Sequence, residues 1–165
     1  MSFFEKIAER KERRDFCSPR FALIKQNVKQ CEELLPKIET LLRTLQKVGE
    51  SLSPQTQQVT IPKYYNEIVK EINALKSKLA EAKQKYIELK EYAEANDLQK
   101  KLASKLSKAN DSIFQIEHKF ETLYSLLLVA VQIIPESKQQ IKNEFIKAIR
   151  ECKISLKTDD PIEVE

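Results

Sequence analysis

Three runs of apolar side chains, recurring at steps of three and four residues, constrain this chain more than any other feature. The first is Phe21, Ile24, Val28, Cys31, Leu35, Ile38, Leu42 and Leu45. The second runs Ile61, Tyr65, Ile68, Ile72, Leu75, Leu79, Ala82, Tyr86, Leu89 and Ala93. The third runs Leu98, Leu102, Leu106, Ala109, Ile113, Ile116, Phe120, Leu123, Leu127, Ala130 and Ile134. A repeat averaging 3.5 residues puts every member on one stripe of a helix, and such stripes are buried only when long helices lie side by side. A single glycine, no tryptophan and 33% charged residues agree with long helices and argue against glycine-cradled phosphate loops.

The breaks between runs set the boundaries. From Ala93 to Leu98 the step is five, and the slip falls at Asn96-Asp97. Asn tolerates the left-handed backbone that ends a helix and Asp caps the next one, so an αα-hairpin turn is predicted there. Ser18-Pro19 reads as a helix start, with Ser18 as N-cap. Pro36 lies within a run that stays in phase across it, so a single kinked helix is expected there, not two helices with a loop. Gly49–Thr60 is polar and without period, a loop, and the second helix is expected to begin at Pro62. Pro135 ends the third helix and opens a fourth, striped by Ile141, Phe145, Ile149, Cys152 and Leu156.

The reading is therefore all-α: an elongated, antiparallel up-down-up-down four-helix bundle with coiled-coil-like heptad seams and a projecting αα-hairpin. Its helices are expected at 19–48, 62–95, 97–134 and 136–156, forming a bundle over 18–157. A charged leader, 1–17, precedes it and an acidic tail, 158–165, follows. The leader is expected to be a short helix docked on the bundle or a frayed end, with Phe3, Phe4 and Ile7 on one side. Residues 123–134 (LYSLLLVAVQII) are apolar on nearly every side and are expected to be covered all round. That stretch is shorter than the roughly 20 residues of a membrane span. The fourth helix is too short to cover the whole hairpin, so the far part of the second and third helices projects, closed by the first helix or by a partner chain.

No reaction is legible in these residues. The one histidine, His118, falls between Ile116 and Phe120 and points off the seam, with no nucleophile or ligand set to serve. Glu67 with Glu71, and Glu117 with Glu121, are carboxylate pairs at helical spacing, but all four lie off the seams and no Glu-x-x-His accompanies them. Cys17, Cys31 and Cys152 are odd in number and widely spaced, which gives neither a disulfide framework nor a metal site. They are expected to be reduced thiols, Cys31 a small buried hydrophobe, in a cytoplasmic setting. The first residues lack an apolar run of signal-peptide length. No enzyme, cofactor, metal or small-molecule substrate is expected.

The net charge is +4, from 29 basic and 25 acidic residues, and the two signs interleave along most of the chain. The exception is Leu98–Ala109, where Lys100, Lys101, Lys105 and Lys108 occur with no acid between Asp97 and Asp111. With Lys83, Lys85 and Lys90 on the facing helix they make a candidate anion- or partner-binding tip. The leading expectation is a non-enzymatic protein-interaction or assembly module, scaffold or adaptor, with a protein partner or self-association. One alternative is a membrane-acting four-helix-bundle domain, resting on Phe3, Phe4, Ile7 and the lysine tip. Another is a small helical subunit contacting a nucleic-acid backbone through the same lysines.

Overall fold

A computed structural model describes residues 2–51, 54–133 and 139–156, with side chains for 2–49, 60–133 and 139–151. It contains four α-helices: α1 (Phe3–Ser51), α2 (Pro54–Ala95), α3 (Gln99–Ile133) and α4 (Gln139–Leu156). Among the described residues there is no strand. Every seam residue of the first three runs whose side chain is described is buried or half-buried. The all-α bundle is thus the direct consequence of apolar stripes meeting one another.

The α2–α3 turn falls at the predicted place, though with different chemistry. It is Asp97, not Asn96, that takes the left-handed backbone, with φ of 55°. The Leu98 N–H reaches back to the Ala93 carbonyl at 2.8 Å, and Asn96 N–H to that of Tyr92 at 3.1 Å. The six-to-one bond makes this a Schellman ending with Asp97 just past the helix. Leu98, not Asp97, then occupies the cap position of α3, since its carbonyl accepts the first bond of that helix, from Leu102 at 2.9 Å.

Three expected boundaries are absent. α1 runs unbroken through Ser18-Pro19 and absorbs the leader; it also runs through Pro36, as the seam implied. A helix-interior proline removes one hydrogen bond and crowds the preceding turn, at about 3 kcal/mol. At Pro19 packing outweighs that cost. Phe16 stacks on Tyr92 of α2 at 4.1 Å, Cys17 is buried, and Arg20 spans the weakened turn, its guanidinium on the Phe16 carbonyl at 2.9 Å. The expected Gly49–Thr60 loop is mostly helix: α1 continues to Ser51 and α2 starts at Pro54, with residues 52–53 outside the described set. Proline in a first helical turn loses no bond, so Pro54 serves the role assigned to Pro62. Pro62 instead sits inside α2, beside the buried Ile61 and Tyr65. Pro135, the side chains of Cys152 and Leu156, and the acidic tail lie outside the described residues.

α2 is the central helix, and its most extensive contact is with α1. α2 touches all three other helices, α1 also packs on α3, and α1 and α4 do not meet among the described residues. On one side, Phe16/Tyr92, Arg20/Glu88 and Lys37/Glu71 fix α1 antiparallel to α2. α1 therefore closes the part of the hairpin that α4 does not reach. On the other side Phe145 of α4 meets Tyr65 edge-on at 4.9 Å, and Glu151 pairs with Lys76 at 2.7 Å. The Tyr65 hydroxyl, pushed above its usual range by burial, donates to the Ala130 carbonyl of α3.

The apolar stretch of α3 is not covered all round. Leu128 and Val129 are 45% and 44% exposed, because α4 leans on α2 and touches α3 only thinly.

Candidate functional site

The register of α1 on α2 places the Asn96–Asp97 turn level with about Glu12. Nine residues of α1, Phe3–Lys11, accordingly extend about 13 Å beyond the hairpin at 1.5 Å each. Phe3 and Phe4 are 72% and 79% exposed there, and touch each other with ring centroids 5.9 Å apart. The leader is not a separate helix: Phe16 and Cys17 pack on the bundle as part of α1, while Phe3–Lys11 stand clear of it. That stretch is the unaccompanied end of a rod.

α1 and α3 run parallel, and between them lies a furrow. Its central part encloses about 870 Å³ and is lined on α1 by Ser18, Phe21, Ile24, Lys25, Val28, Lys29 and Glu32. Lys105, Lys108, Ala109 and Ser112 line it on α3. From Ser18 to Glu32 is four helical turns, about 21 Å. The furrow exists because Ala109 and Ser112 are small where α3 faces Ile24, Lys25 and Val28. Toward the hairpin turn it continues into a smaller cavity of about 240 Å³, shared with Arg10, Arg13, Arg14, Cys17 and Leu102. In the other direction a third, of about 550 Å³, is lined by Leu35, Pro36, Glu39, Arg43, Lys119, Leu123 and Leu126 among others.

Charge is what distinguishes this face. Nine basic side chains line the three cavities against two acidic ones, Glu32 and Glu39, although the whole chain is only +4. Glu39 is already held by Arg43 at 2.9 Å. Lys25, Lys29, Lys105 and Lys108 have no carboxylate at ion-pair distance among the described residues. Lys105 stands over the Phe21 ring, its Nζ 5.9 Å from the centroid. In sequence the two signs interleave; the parallel packing of α1 on α3 sorts them.

The seven lysines singled out from the sequence do not form one patch. Lys105 and Lys108 line the furrow. Lys83 pairs with Glu117 at 2.7 Å, tying α2 to α3, and Lys85 pairs with Glu88 at 3.2 Å. Glu88 in turn faces Arg20 at 3.6 Å. Lys90, Lys100 and Lys101 are exposed near the turn. Lys25 and Lys29, half of the central furrow's basic rim, were missed because each looks ordinary on α1 alone. Their signal was positional: they repeat at i,i+4 along the edge of the first seam, opposite the acid-free stretch of α3.

The furrow holds one candidate nucleophile, Cys17, beside Arg13, Arg20 and Lys105. Those cations favour its thiolate, yet burial dominates and pushes the thiol above its ordinary value. A buried thiol so raised is a packing residue. Cys31 is fully buried, its thiol pushed up to about 12 by desolvation, and it points at the Leu75 carbonyl at 3.9 Å. Of the carboxylates considered, Glu71 faces Lys37 at 3.9 Å and Glu117 faces Lys83, while His118 is exposed. Among the described residues no three metal-ligating side chains converge, and no helix is long and apolar enough to cross a membrane. Comparison with known protein families, curated proteins and solved structures returns no match to this chain.

Proposed function

We propose that this protein is a non-enzymatic, helical interaction or assembly module whose working surface is the furrow between α1 and α3. One observation carries the reading. At this face the seam residues Phe21, Ile24 and Val28 floor a groove about four turns long, Phe21 half-buried and Ile24 and Val28 buried, under a rim of four lysines and one glutamate, Glu32. Binding grooves of this kind are where amphipathic segments dock, because the floor supplies burial and the rim supplies orientation. The contacts that α1 and α3 both make with α2 hold the two walls at fixed spacing, so the groove is pre-formed.

Site-resolved photo-cross-linking tests this. A photoreactive residue replacing Lys25 is expected to give discrete protein adducts in cells, while one replacing Lys63, exposed on α2, gives none. Equal adducts at both positions, or none at Lys25, would count against the furrow.

A second reading has its own observation. The projecting end of α1 carries Phe3, Phe4 and Ile7, all exposed, together with Lys6, Arg10 and Lys11. Such an end suits insertion at an anionic bilayer surface. Glu5 and Glu9 on the same segment oppose the electrostatic part of that attraction, which places this reading second. Co-sedimentation with phosphatidylserine vesicles checks it: binding is expected to vanish on replacing Phe3, Phe4 and Ile7 by serine. Binding indifferent to those changes removes the idea.

A further inference from the structure

We infer that the occupant of the furrow is an acidic amphipathic helix, seated with its apolar face over Phe21 and the methylene stems of the flanking lysines and its carboxylates toward Lys25, Lys29, Lys105 and Lys108. This rests on the furrow being an interaction surface, and goes further by naming the chemistry of what enters it.

Shape, floor and rim each narrow the choice. The central furrow is a straight trough about four helical turns long between parallel helices, the shape that a third helix laid along them fills. Ile24, Val28 and Ala109 are buried beneath it, and the accessible apolar surface is the half-buried Phe21 with the lysine methylenes beside it, so burial rewards leucine-like side chains on one face of an entering helix. The rim is basic on both walls: Lys25 and Lys29 one turn apart on α1, Lys105 and Lys108 three residues apart on α3. A helix with glutamates flanking its apolar stripe on both sides meets both walls at once. Glu32 stands alone at one end of the central trough and marks where the match stops.

Nucleic acid satisfies only part of this. Its phosphates suit the lysines, but single strands gain their affinity from stacking on aromatic platforms, and Phe21 is the one aromatic side chain lining the furrow. A duplex is about twice as wide as a helix and would leave the apolar surface uncovered. The exposed Ile87 and Phe114 carry no comparable argument, since neither lines any of these three cavities.

The test uses the full chain and three fluorescein-labelled peptides of about 18 residues. The first has leucine at heptad core positions and glutamate beside them. The second is a scramble of it, and the third has lysine for every glutamate. Fluorescence anisotropy at low salt is expected to show saturable one-to-one binding of the first, with the other two at least tenfold weaker. Combined Lys25→Glu, Lys29→Glu, Lys105→Glu and Lys108→Glu changes are expected to weaken the acidic peptide at least about thirtyfold and to admit the basic one. All four positions are exposed, so the helical circular dichroism should persist; the four glutamine replacements serve as a milder second variant.

The inference is overturned if the scramble binds as tightly as the amphipathic peptide, or if a twenty-nucleotide oligo-dT outcompetes it on the same lysines. It is also overturned if the acidic peptide does not bind. The two readings separate cleanly. Protein adducts at Lys25 without peptide binding leave the interaction surface standing and remove the acidic helix. Absence of both removes both.

Discussion

Replacing Gly49 by alanine decides whether α1 runs on to Ser51 or ends where its only glycine invites it to end. Within a helix, glycine is about 1 kcal/mol less favourable than alanine, through backbone entropy. At a left-handed cap the preference reverses, and alanine costs about 1 kcal/mol. The two geometries therefore predict opposite signs. Gly49 is helical and does not have positive φ. A Cβ there would meet Cγ2 of Ile133 at 3.3 Å, so that side chain has to move a few tenths of an ångström. Ile133 is half-buried at the end of α3. Taking back part of the gain for that shift leaves Gly49→Ala stabilising by about 0.5 kcal/mol, or a rise of about 1–2 °C in Tm for a chain of this size. Thermal and urea unfolding followed at 222 nm measure it, with the urea slope expected to stay constant. A loss near 1 kcal/mol would refute the continuous helix and restore the glycine stop.

Three further outcomes follow from the core. Phe145 is fully buried against Tyr65, so Phe145→Ala is expected to cost about 3–5 kcal/mol and to expose α4 to proteolysis before the other helices; uniform proteolysis would contradict the peripheral place of α4. Asn27 is 3% exposed, and its Nδ2 has no hydrogen-bond partner, so Asn27→Leu is expected to raise the urea midpoint by an amount equivalent to about 1–2 kcal/mol. A fall would show that the amide is satisfied. Cys31 has its thiol raised from 9.0 to about 12, so unfolding releases its proton above pH 9 and the folded state retains it. Stability is then present below pH 9 and falls as pH rises toward 12, by at most about 1.4 kcal/mol per pH unit. In Cys31→Ala that contribution to the fall should disappear, most clearly just above pH 9 where tyrosine ionisation is still small; an unchanged slope would contradict the assignment.

Much of the fold is legible in the chain because burial is periodic. Ile24 through Leu45, Ile61 through Ala93 and Leu102 through Ala130 are the residues that a 3.5-residue stripe selects, and they are the core. The turn at Asn96–Asp97 is equally visible, as a phase slip. What misleads is punctuation. Ser18-Pro19, Gly49 and Pro62 each carry a local preference of one to a few kcal/mol. Contacts such as Phe16 on Tyr92, or Ile61 in the core, exceed that preference and carry the helix across. The furrow was less legible for a different reason. Lys25 and Lys29 acquire meaning only when α1 lies parallel to α3 in one particular register, and Ala109 and Ser112 make a gap only against that neighbour. The sequence also suggested one lysine tip, whereas Lys83 and Lys85 are engaged with Glu117 and Glu88.

The measurement closest to the heart of this account reads the lysines themselves. Reductive methylation with carbon-13 formaldehyde keeps their charge and gives each a resolvable resonance, assigned by single Lys→Arg changes. On adding the acidic amphipathic peptide, the signals of Lys25, Lys29, Lys105 and Lys108 are expected to shift together along one saturation curve. Those of Lys63 and Lys70, exposed on α2, should stay in place. Shifts spread evenly over all lysines, or confined to one wall of the furrow, would contradict a helix seated between α1 and α3.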